Sequence, residues 1–386
     1  MTRRLRVCRL ATVPVTFATL LPAQIQLIVN AGIDLTLVSS AGEHFTPFFD
    51  DPSLHCYTLQ VSRKIDYLHD LPSLFRLIHF FRREKFNIVH SSTPKAGLLT
   101  ALAGKLAGVP IRIHTYTGQV WVEMKGPARK FMCSVDWLIG VLNTHTCADS
   151  FSQREFLIRE RIVDSRKITV LEYGSISGVD LTRFDPVKLA PYRALIRRQL
   201  GISERALIIV FVGRVTRDKG VVELLEAFEQ LCRKYNDLHL VFVGPLESER
   251  DPLPKKILDV IPGNAIIHFI GFTSQPETYL AAADIFCLPS YREGFGSVVI
   301  EAAAMNLPSV ATTVTGLVDA VVDNETGLLV PPKDSKALAE ALAVLIDSPD
   351  TRYRMGHAAR QRALSQFDAA KVNQAMVDEY FRLAQW

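Results

Sequence analysis

Short β-rich runs alternate with longer segments of helical period along this 386-residue chain, and that alternation restricts the possible folds more than any single motif. The C-terminal half shows it best. There "ALIIVFVG" (206–213), "LHLVFVG" (238–244), "AIIHFIG" (265–271), "ADIFCLPS" (283–290), "PSVATTV" (308–314) and "GLLVPP" (327–332) each read as a strand, most of them closed by Gly or Pro. Continuous apolar runs of this kind belong to strands covered on both faces, hence to parallel sheets with crossover helices. In the N-terminal half "RVCRL", "IDLTLVSS", "HCYTLQ", "FNIVHSS", "PIRIHTY", "HTCADS" and "KITVLEY" read the same way. A chain of this length exceeds what one core usually organises. The expected fold class is therefore α/β, with two tandem Rossmann-like doubly wound domains. "EYGSISGVDLTRFDP", punctuated by Gly174, Gly178 and Pro186, is expected to be the hinge. From Ser335 onward the pattern is helical, broken near "SPDT" and "SQFD".

Composition excludes several classes. The formal charge is only +4 and there is no dense basic tract, which argues against a nucleic-acid partner. The six cysteines, at 8, 56, 133, 147, 232 and 287, form no Cys-x-x-Cys pair, and no His lies at zinc-ligand spacing. That pattern suits a reducing cytosol without a structural metal. The opening "MTRRLRVCRLATVPVTFATLLPAQIQLIVNAG" runs uncharged from Leu10 to Ile33, but Pro14, Pro22, Gln24, Gln26 and Asn30 spoil a membrane span of about 20 apolar residues. A strand over 5–10, a loop and a helix are expected there.

In open α/β sheets ligands bind outside the carboxyl ends of the strands, so chemistry is expected just after strands. "VFVGRVTRDKG" ends a strand at Gly213 and then offers Arg214, Arg217 and Lys219 around a helix start, a plausible phosphate clamp. "REGFGSVVIE" follows the strand "DIFCLP", with Gly296 or Ser297 placed to cap a helix whose first N–H groups favour an anion. A dinucleotide fingerprint is disfavoured, because Val299 stands at the third glycine position. Glu293 and Glu301 lie eight positions apart around the turn, and Glu301 sits oddly in an apolar, alanine-rich run.

"EGFGSVVIE" resembles the E-x7-E pattern of retaining glycosyltransferases with two Rossmann-like domains, and "VGRVTRDKGVVELLEAF" resembles their Gly-Arg…Lys element. With "HFIGFT" and "ADIFCLPS" between them, the C-terminal half resembles family 4 glycosyltransferases of the GT-B fold. "VHSSTPKAGLLTALAGKLAGVPIRIHTYTG" and "VLEYGSISGVDLTRF" look like bacterial members that build O-antigen and capsular repeat units on a polyprenyl carrier. Two departures fall on the acceptor side. Ser92 stands where many such members have a second His, and "LATVPVTFATL" lacks the glycine pair common after the first strand.

The resemblance implies an N-terminal acceptor-binding domain over 1–177 and a nucleotide-sugar-binding domain over 178–367. It also implies a helix over 368–386 that crosses back to the N-terminal domain, and a central cleft faced by both domains. By position, Arg214 and Lys219 would hold the donor diphosphate and Glu293 the transferred sugar. Gly213, Gly294, Phe295, Gly296 and Ser297 would line the donor, the glycine-rich turn through its backbone N–H groups. Glu301 would accept from the ribose hydroxyls, and Ile270 and Phe272 would frame the base. His114 would serve the sugar, with His90 and Lys95 on the acceptor side. The two fixed cations would stand in for a metal, so neither metal nor cofactor is expected; the sequence also lacks Asp-x-Asp. The expected partners are a nucleotide sugar, most simply UDP-linked, and a lipid-linked saccharide. The basic, amphipathic stretch "LPSLFRLIHFFRREKF" (71–86) reads as a helix packed on the sheet whose arginines could also meet a membrane, which places the protein in the cytoplasm with peripheral contact. Two alternatives share this architecture: a UDP-sugar 2-epimerase, and a non-catalytic nucleotide-sugar-binding partner.

Overall fold

The computed structural model describes residues 4–59, 67–247, 251–254 and 264–385. The chain divides into two compact units, Met1–Gly178 with Ala369–Trp386, and Val179–Asp368. In the first unit, β1 (Arg6–Leu10), β2 (Asp34–Ser39), β3 (His55–Thr58), β4 (Ile88–Ser91), β5 (Ile111–Tyr116), β6 (His145–Ala148) and β7 (Ile168–Thr169) form one sheet. Their order is β3-β2-β1-β4-β5-β6-β7, and every pairing is parallel. Strand alternation divides the core between the faces. Val7, Leu35, Leu37, Ile88 and Ile113 form one cluster, while Cys8, Leu10, Val38 and Val89 belong to another. "KITVLEY" shrinks to the two residues of β7, because an edge strand pairs on one side only.

In the second unit, β8 (Leu207–Val212), β9 (Leu238–Val243), β10 (Ile267–Gly271), β11 (Ile285–Leu288), β12 (Ser309–Thr312) and β13 (Gly327–Val330) run parallel in the order β10-β9-β8-β11-β12-β13. The order reverses between β8 and β11, so the loops after these two strands meet at the switch point where such sheets bind ligands. The six strands read from the sequence are all present, shortened where a terminal Gly, Pro or Ser turns the chain.

The helical tail breaks where its capping residues dictate. Asp334 accepts from the Ala337 N–H at 2.9 Å to start Ser335–Asp347, and Ser348 accepts from Thr351 N–H at 3.2 Å to start Pro349–Gln366, with Pro349 in the first turn. The last helix, Ala369–Ala384, buries Met376, Val377 and Tyr380 in the cluster that holds Val7 and Leu35. A buried polar chain reinforces it: Gln24 Nε2 donates to Asn373 Oδ1 at 2.9 Å and to the Ile176 carbonyl at 3.0 Å.

The stretch read as the hinge is ordered locally. Val179 N–H donates to Phe367 O at 2.7 Å, the Asp180 carboxylate takes Thr182 N–H at 2.9 Å, and Asp185 caps the helix Pro186–Gln199. The opening segment contains β1, a π-helical turn over Thr16–Leu20 and the helix Pro22–Asn30, and the basic amphipathic segment forms the helix Tyr67–Glu84. Among the described residues no helix is long and apolar enough to cross a membrane. The six cysteines are free.

Candidate active site

The loops after β8 and β11 build one charged cluster. After β8 the chain passes Gly213 and Arg214, turns through Arg217–Lys219 and enters the helix Val221–Cys232. After β11 it runs from Pro289 through the Gly-Phe-Gly turn into Ser297–Ala304. Lys219 Nζ donates to Glu293 Oε1, joining residues 74 positions apart, and Ser290 Oγ donates to the same oxygen at 2.8 Å. Both side chains are largely buried, at 18 % and 13 % exposure, so this pair is fixed in a way that a surface pair is not. Arg214 Nη1 meets Glu247 Oε2 at 2.8 Å and remains more exposed. Asp218 ties the two loops together. Its carboxylate accepts from Thr216 Oγ1 at 2.6 Å and Arg292 Nη2 at 2.8 Å, and its carbonyl accepts from Tyr291 N–H at 2.9 Å. Burial alone would raise the Asp218 pKa, but the Thr216 hydroxyl and the Arg292, Lys219 and Arg214 cations outweigh it and hold the carboxyl below its usual range.

The turn between the two glutamates is shaped by close packing. Phe295 points inward, 2 % exposed, against Phe367 with ring centroids 5.2 Å apart, so only its backbone is left for a ligand. Gly296, at φ 88°, is the N-cap, which makes Ser297 the first helical residue rather than the cap. Val299 N–H donates to the Gly296 carbonyl at 2.8 Å, while the N–H groups of Ser297 and Val298, in the first turn, have no acceptor within the helix. Gly316, at φ 89°, backs the turn: a Cβ there would lie 2.5 Å from the Gly294 carbonyl oxygen.

Glu301 lies one turn into the helix. Burial pushes its pKa up to about 7, helped by Glu277 and opposed by the Arg183 guanidinium. It has no hydrogen-bond partner among the described residues, while Arg183 is held by Glu277 at 2.7 Å and by the Ser274 carbonyl at 2.6 Å. A carboxylate left without donors in such a place can take two hydroxyl hydrogens. Ile270, on β10, is partly buried against the core, and Phe272, just beyond it, is 64 % exposed. No three His, Cys, Asp or Glu side chains among the described residues converge as they would around a metal ion.

Two family models match the chain. "Glycosyl transferases group 1" matches residues 193–362, and "Glycosyl transferase 4-like domain" matches 21–174. The capsular polysaccharide biosynthesis glycosyltransferase CapM of Staphylococcus aureus is 32 % identical over 364 residues, covering 94 % of this chain and 93 % of CapM. The chain is a family 4 glycosyltransferase. The UDP-Gal:alpha-D-GlcNAc-diphosphoundecaprenol alpha-1,3-galactosyltransferase of Escherichia coli is 27 % identical over 330 residues, 84 % of this chain and 83 % of that one. Among solved structures, a glycosyltransferase of Rickettsia africae superposes with a TM-score of 0.79 at 20 % identity, covering 99 % of both chains. HepE of Anabaena, solved in complex with UDP, gives 0.76 at 19 % identity, over 97 % of this chain and 99 % of HepE. These likenesses show the GT-B fold.

In the N-terminal unit of this glycosyltransferase, His114 lies within β5, two residues before its end rather than at it, and is 2 % exposed. Its Nδ1 lies 2.9 Å from Ser91 Oγ, and its ring meets Tyr116 edge-on at 4.6 Å. Burial lowers its pKa to about 3, so the imidazole is neutral at cellular pH. Gly97 makes room for it: a Cβ there would come 2.6 Å from His114 Cε1. His90, expected on the acceptor side, has both ring nitrogens engaged inside the fold, Nδ1 with Tyr380 Oη at 2.6 Å and Nε2 with Thr115 Oγ1 at 2.7 Å. That is the arrangement of a packing histidine. Lys95, also expected there, is paired with Asp70 at 2.7 Å.

Several residues of the cluster escaped the sequence reading: Glu247, Ser290, Arg292, Asp218 and the Arg183–Glu277 pair. Glu247 follows the strand-like run "LHLVFVG" and Ser290 closes "ADIFCLPS", so a search for acids and hydroxyls at strand ends would have found them. The others required the fold.

Proposed function

We propose that the protein is a retaining glycosyltransferase that moves a hexosyl or N-acetylhexosaminyl group from a UDP-sugar to a polyprenyl-diphosphate-linked saccharide during assembly of a surface polysaccharide. The observation that carries this reading is the buried Lys219–Glu293 pair set beside Arg214 and the Gly-Phe-Gly turn at the sheet's switch point. The carrier and donor classes are suggested by the E. coli relative, whose name specifies UDP-Gal and a diphosphoundecaprenol acceptor.

In this reading Arg214 and Lys219, with Gly213 and the first N–H groups of the helix Ser297–Ala304, hold the diphosphate. Glu293 holds sugar hydroxyls and orients Lys219. Glu301 accepts from the ribose, with Ile270 and Phe272 framing the base, and His114 serves the sugar as a neutral hydrogen-bonding group. The C1–O bond to the diphosphate breaks while the acceptor hydroxyl attacks C1 from the same face, and its proton passes to the leaving phosphate oxygen. The protein supplies orientation and charge stabilisation. Fixed cations fill the electrostatic role of a divalent ion, so transfer is expected to continue in EDTA. The enzyme would work at the cytoplasmic face of the membrane through peripheral contact.

A panel of radiolabelled nucleotide sugars with membrane extract as acceptor source tests this reading. Label is expected in the lipid fraction for one donor, with its anomeric configuration retained. Conversion of free donor without acceptor would favour the 2-epimerase, and binding without turnover the silent partner.

A further inference from the structure

The segment that leaves β6 reads "ADSFSQ", and its Ser150-x-x-Gln153 spacing is that of a capping box at the start of the helix Phe151–Arg159. Ser150 Oγ accepts from Gln153 N–H at 3.2 Å, and the Gln153 side chain reaches back to take Asp149 N–H at 2.8 Å. From the other side Ser175, held at φ 70°, donates its N–H to the Asp149 carbonyl at 2.7 Å. The backbone of Asp149 is thus fixed twice over. Its carboxyl has no such partner: Oδ1 is sealed from solvent without a hydrogen bond among the described residues, in a residue only 6 % exposed.

The same unit shows what a packing acid looks like. Asp136 is as deeply buried, and it accepts from Trp121 Nε1 at 2.7 Å. An orphaned oxygen costs stability that packing alone does not return, which points to a ligand at Asp149. Beside it, Gln153 Nε2 donates to Gln119 Oε1 at 3.4 Å, and the amide N–H groups of the buried Gln119 meet no acceptor among the described residues. Both residues lie at the carboxyl end of their sheet, where open parallel sheets take ligands. Asp149 follows Ala148, the last residue of β6, and Gln119 follows β5 by three residues. His114 pairs in register with Thr146, so Asp149 stands no more than about 10 Å further out along its strand. The surroundings select the ligand's class. Burial alone pushes the Asp149 pKa up to about 8, with no cation opposing it, so near neutral pH the group is a carboxylic acid that both donates and accepts. An anion would find no positive partner there, and no three metal-ligating side chains converge among the described residues. Uncharged hydroxyls match an acid and an amide of this kind.

We infer that Asp149 and Gln119 form a saccharide-recognition site of the N-terminal unit, the acid and the amide hydrogen-bonding hydroxyl groups on the acceptor's sugars. The inference rests on the proposed transfer to a lipid-linked saccharide and assigns the sugar end of that acceptor. The sequence offered His90 and Lys95 for the acceptor side, but both are engaged within the fold, His90 by Tyr380 and Thr115 and Lys95 by Asp70. A site of this kind discriminates strongly, because a sugar without the matching hydroxyl leaves buried polar groups unpaired.

The test is transfer from radiolabelled donor to lipid-linked saccharides extracted from membranes, with Asp149→Val, Asp149→Asn and Gln119→Ala beside the wild-type chain. Asp149→Val should raise the acceptor KM at least about tenfold, with UDP affinity by calorimetry unchanged and the thermal midpoint unchanged or raised. Asp149→Asn keeps a neutral donor and acceptor and should stay within about threefold of the wild type, while Gln119→Ala should raise the acceptor KM about threefold. An unchanged acceptor KM in Asp149→Val, an equal loss of UDP affinity, or no rescue by Asp149→Asn would each overturn the inference and leave the proposed reaction standing. If no donor yields a lipid product, saturation-transfer NMR with the methyl α-glycosides of glucose, galactose and their N-acetylamino forms decides. Contact with the wild-type chain that Asp149→Val abolishes would uphold the site although the proposed reaction had failed; contact that is absent, or that survives in Asp149→Val, would overturn it.

Discussion

The two sheets carry their functional candidates in opposite electrostatic conditions. At the strand ends of the Val179–Asp368 unit, charge is held by charge: Lys219 by Glu293, Arg214 by Glu247, Arg292 by Asp218. At the strand ends of the N-terminal unit the candidates are neutral and held by packing. Burial keeps His114 and His90 unprotonated, and their partners are hydroxyls: Ser91, Thr115 and Tyr380. A site that must receive a diphosphate gains from fixed cations whose counter-ions already hold them in place. A group that must hydrogen-bond an uncharged hydroxyl gains from having no charge to desolvate.

The largest expected effect tests the charged side. Lys219→Ala and Glu293→Ala should each lower kcat/KM by about 10²–10³-fold, the range for removal of a preorganised electrostatic group. Thermal midpoints should stay within a few degrees; near-normal turnover in either variant would break the assignment. On the neutral side, Gly97→Ala should force the His114 ring aside, lowering transfer by roughly tenfold and stability by about 1–3 kcal/mol. An intact histidine environment by NMR in that variant would show that the close approach is not needed.

Tyr380→Phe removes a partner of His90 and tests whether that histidine only packs. A loss of about 1–2 kcal/mol of stability with unchanged kcat is expected; a selective fall in kcat would restore His90 to the acceptor side. Glu301 gives a pH signature. A carboxyl raised to about 7 in the folded chain contributes stability that is full below its ordinary pKa and is lost as pH rises through 7. Glu301→Gln should therefore be stabilising at pH 8 and nearly silent at pH 5, while UDP-sugar affinity, expected to improve with pH in the wild type, should become flat. Equal melting shifts at both pH values would count against that assignment. The smallest effect is expected from Glu247→Gln. Freed of its counter-ion, Arg214 should hold UDP about threefold more tightly by calorimetry, whereas weaker binding would mean that Glu247 itself contacts the ligand.

Much of the fold could be read from the chain, because continuous apolar runs closed by Gly or Pro are what a doubly covered parallel strand requires. The runs at 206–213 and 238–244 became β8 and β9 with little trimming. The start of the helical tail after Asp334 and its break at Ser348 were likewise local, set by side chains that cap their own helices. Within the site, Lys219, Glu293 and Glu301 were legible from spacing and family pattern. Their partners were less so. Glu247 and Arg292 look like ordinary loop charges until the strand order brings their loops to Arg214 and Asp218. His90 and His114 look alike in sequence, each near a strand end. They differ because Tyr380, from the last helix, reaches one, while Gly97 admits the ring of the other.

The sequence by itself determined the two α/β units and the strand set, and offered Arg214, Lys219 and Glu293 as candidates, since those depend on local periodicity and on motifs that keep their spacing. Only the tertiary structure decided which charges neutralise which, that Glu301 has no donor among the described residues, and that His90 is satisfied. Each of these depends on contacts between segments far apart in the chain, and on burial, which changes the energy of a charge or an aromatic ring without leaving a mark on its neighbours in sequence.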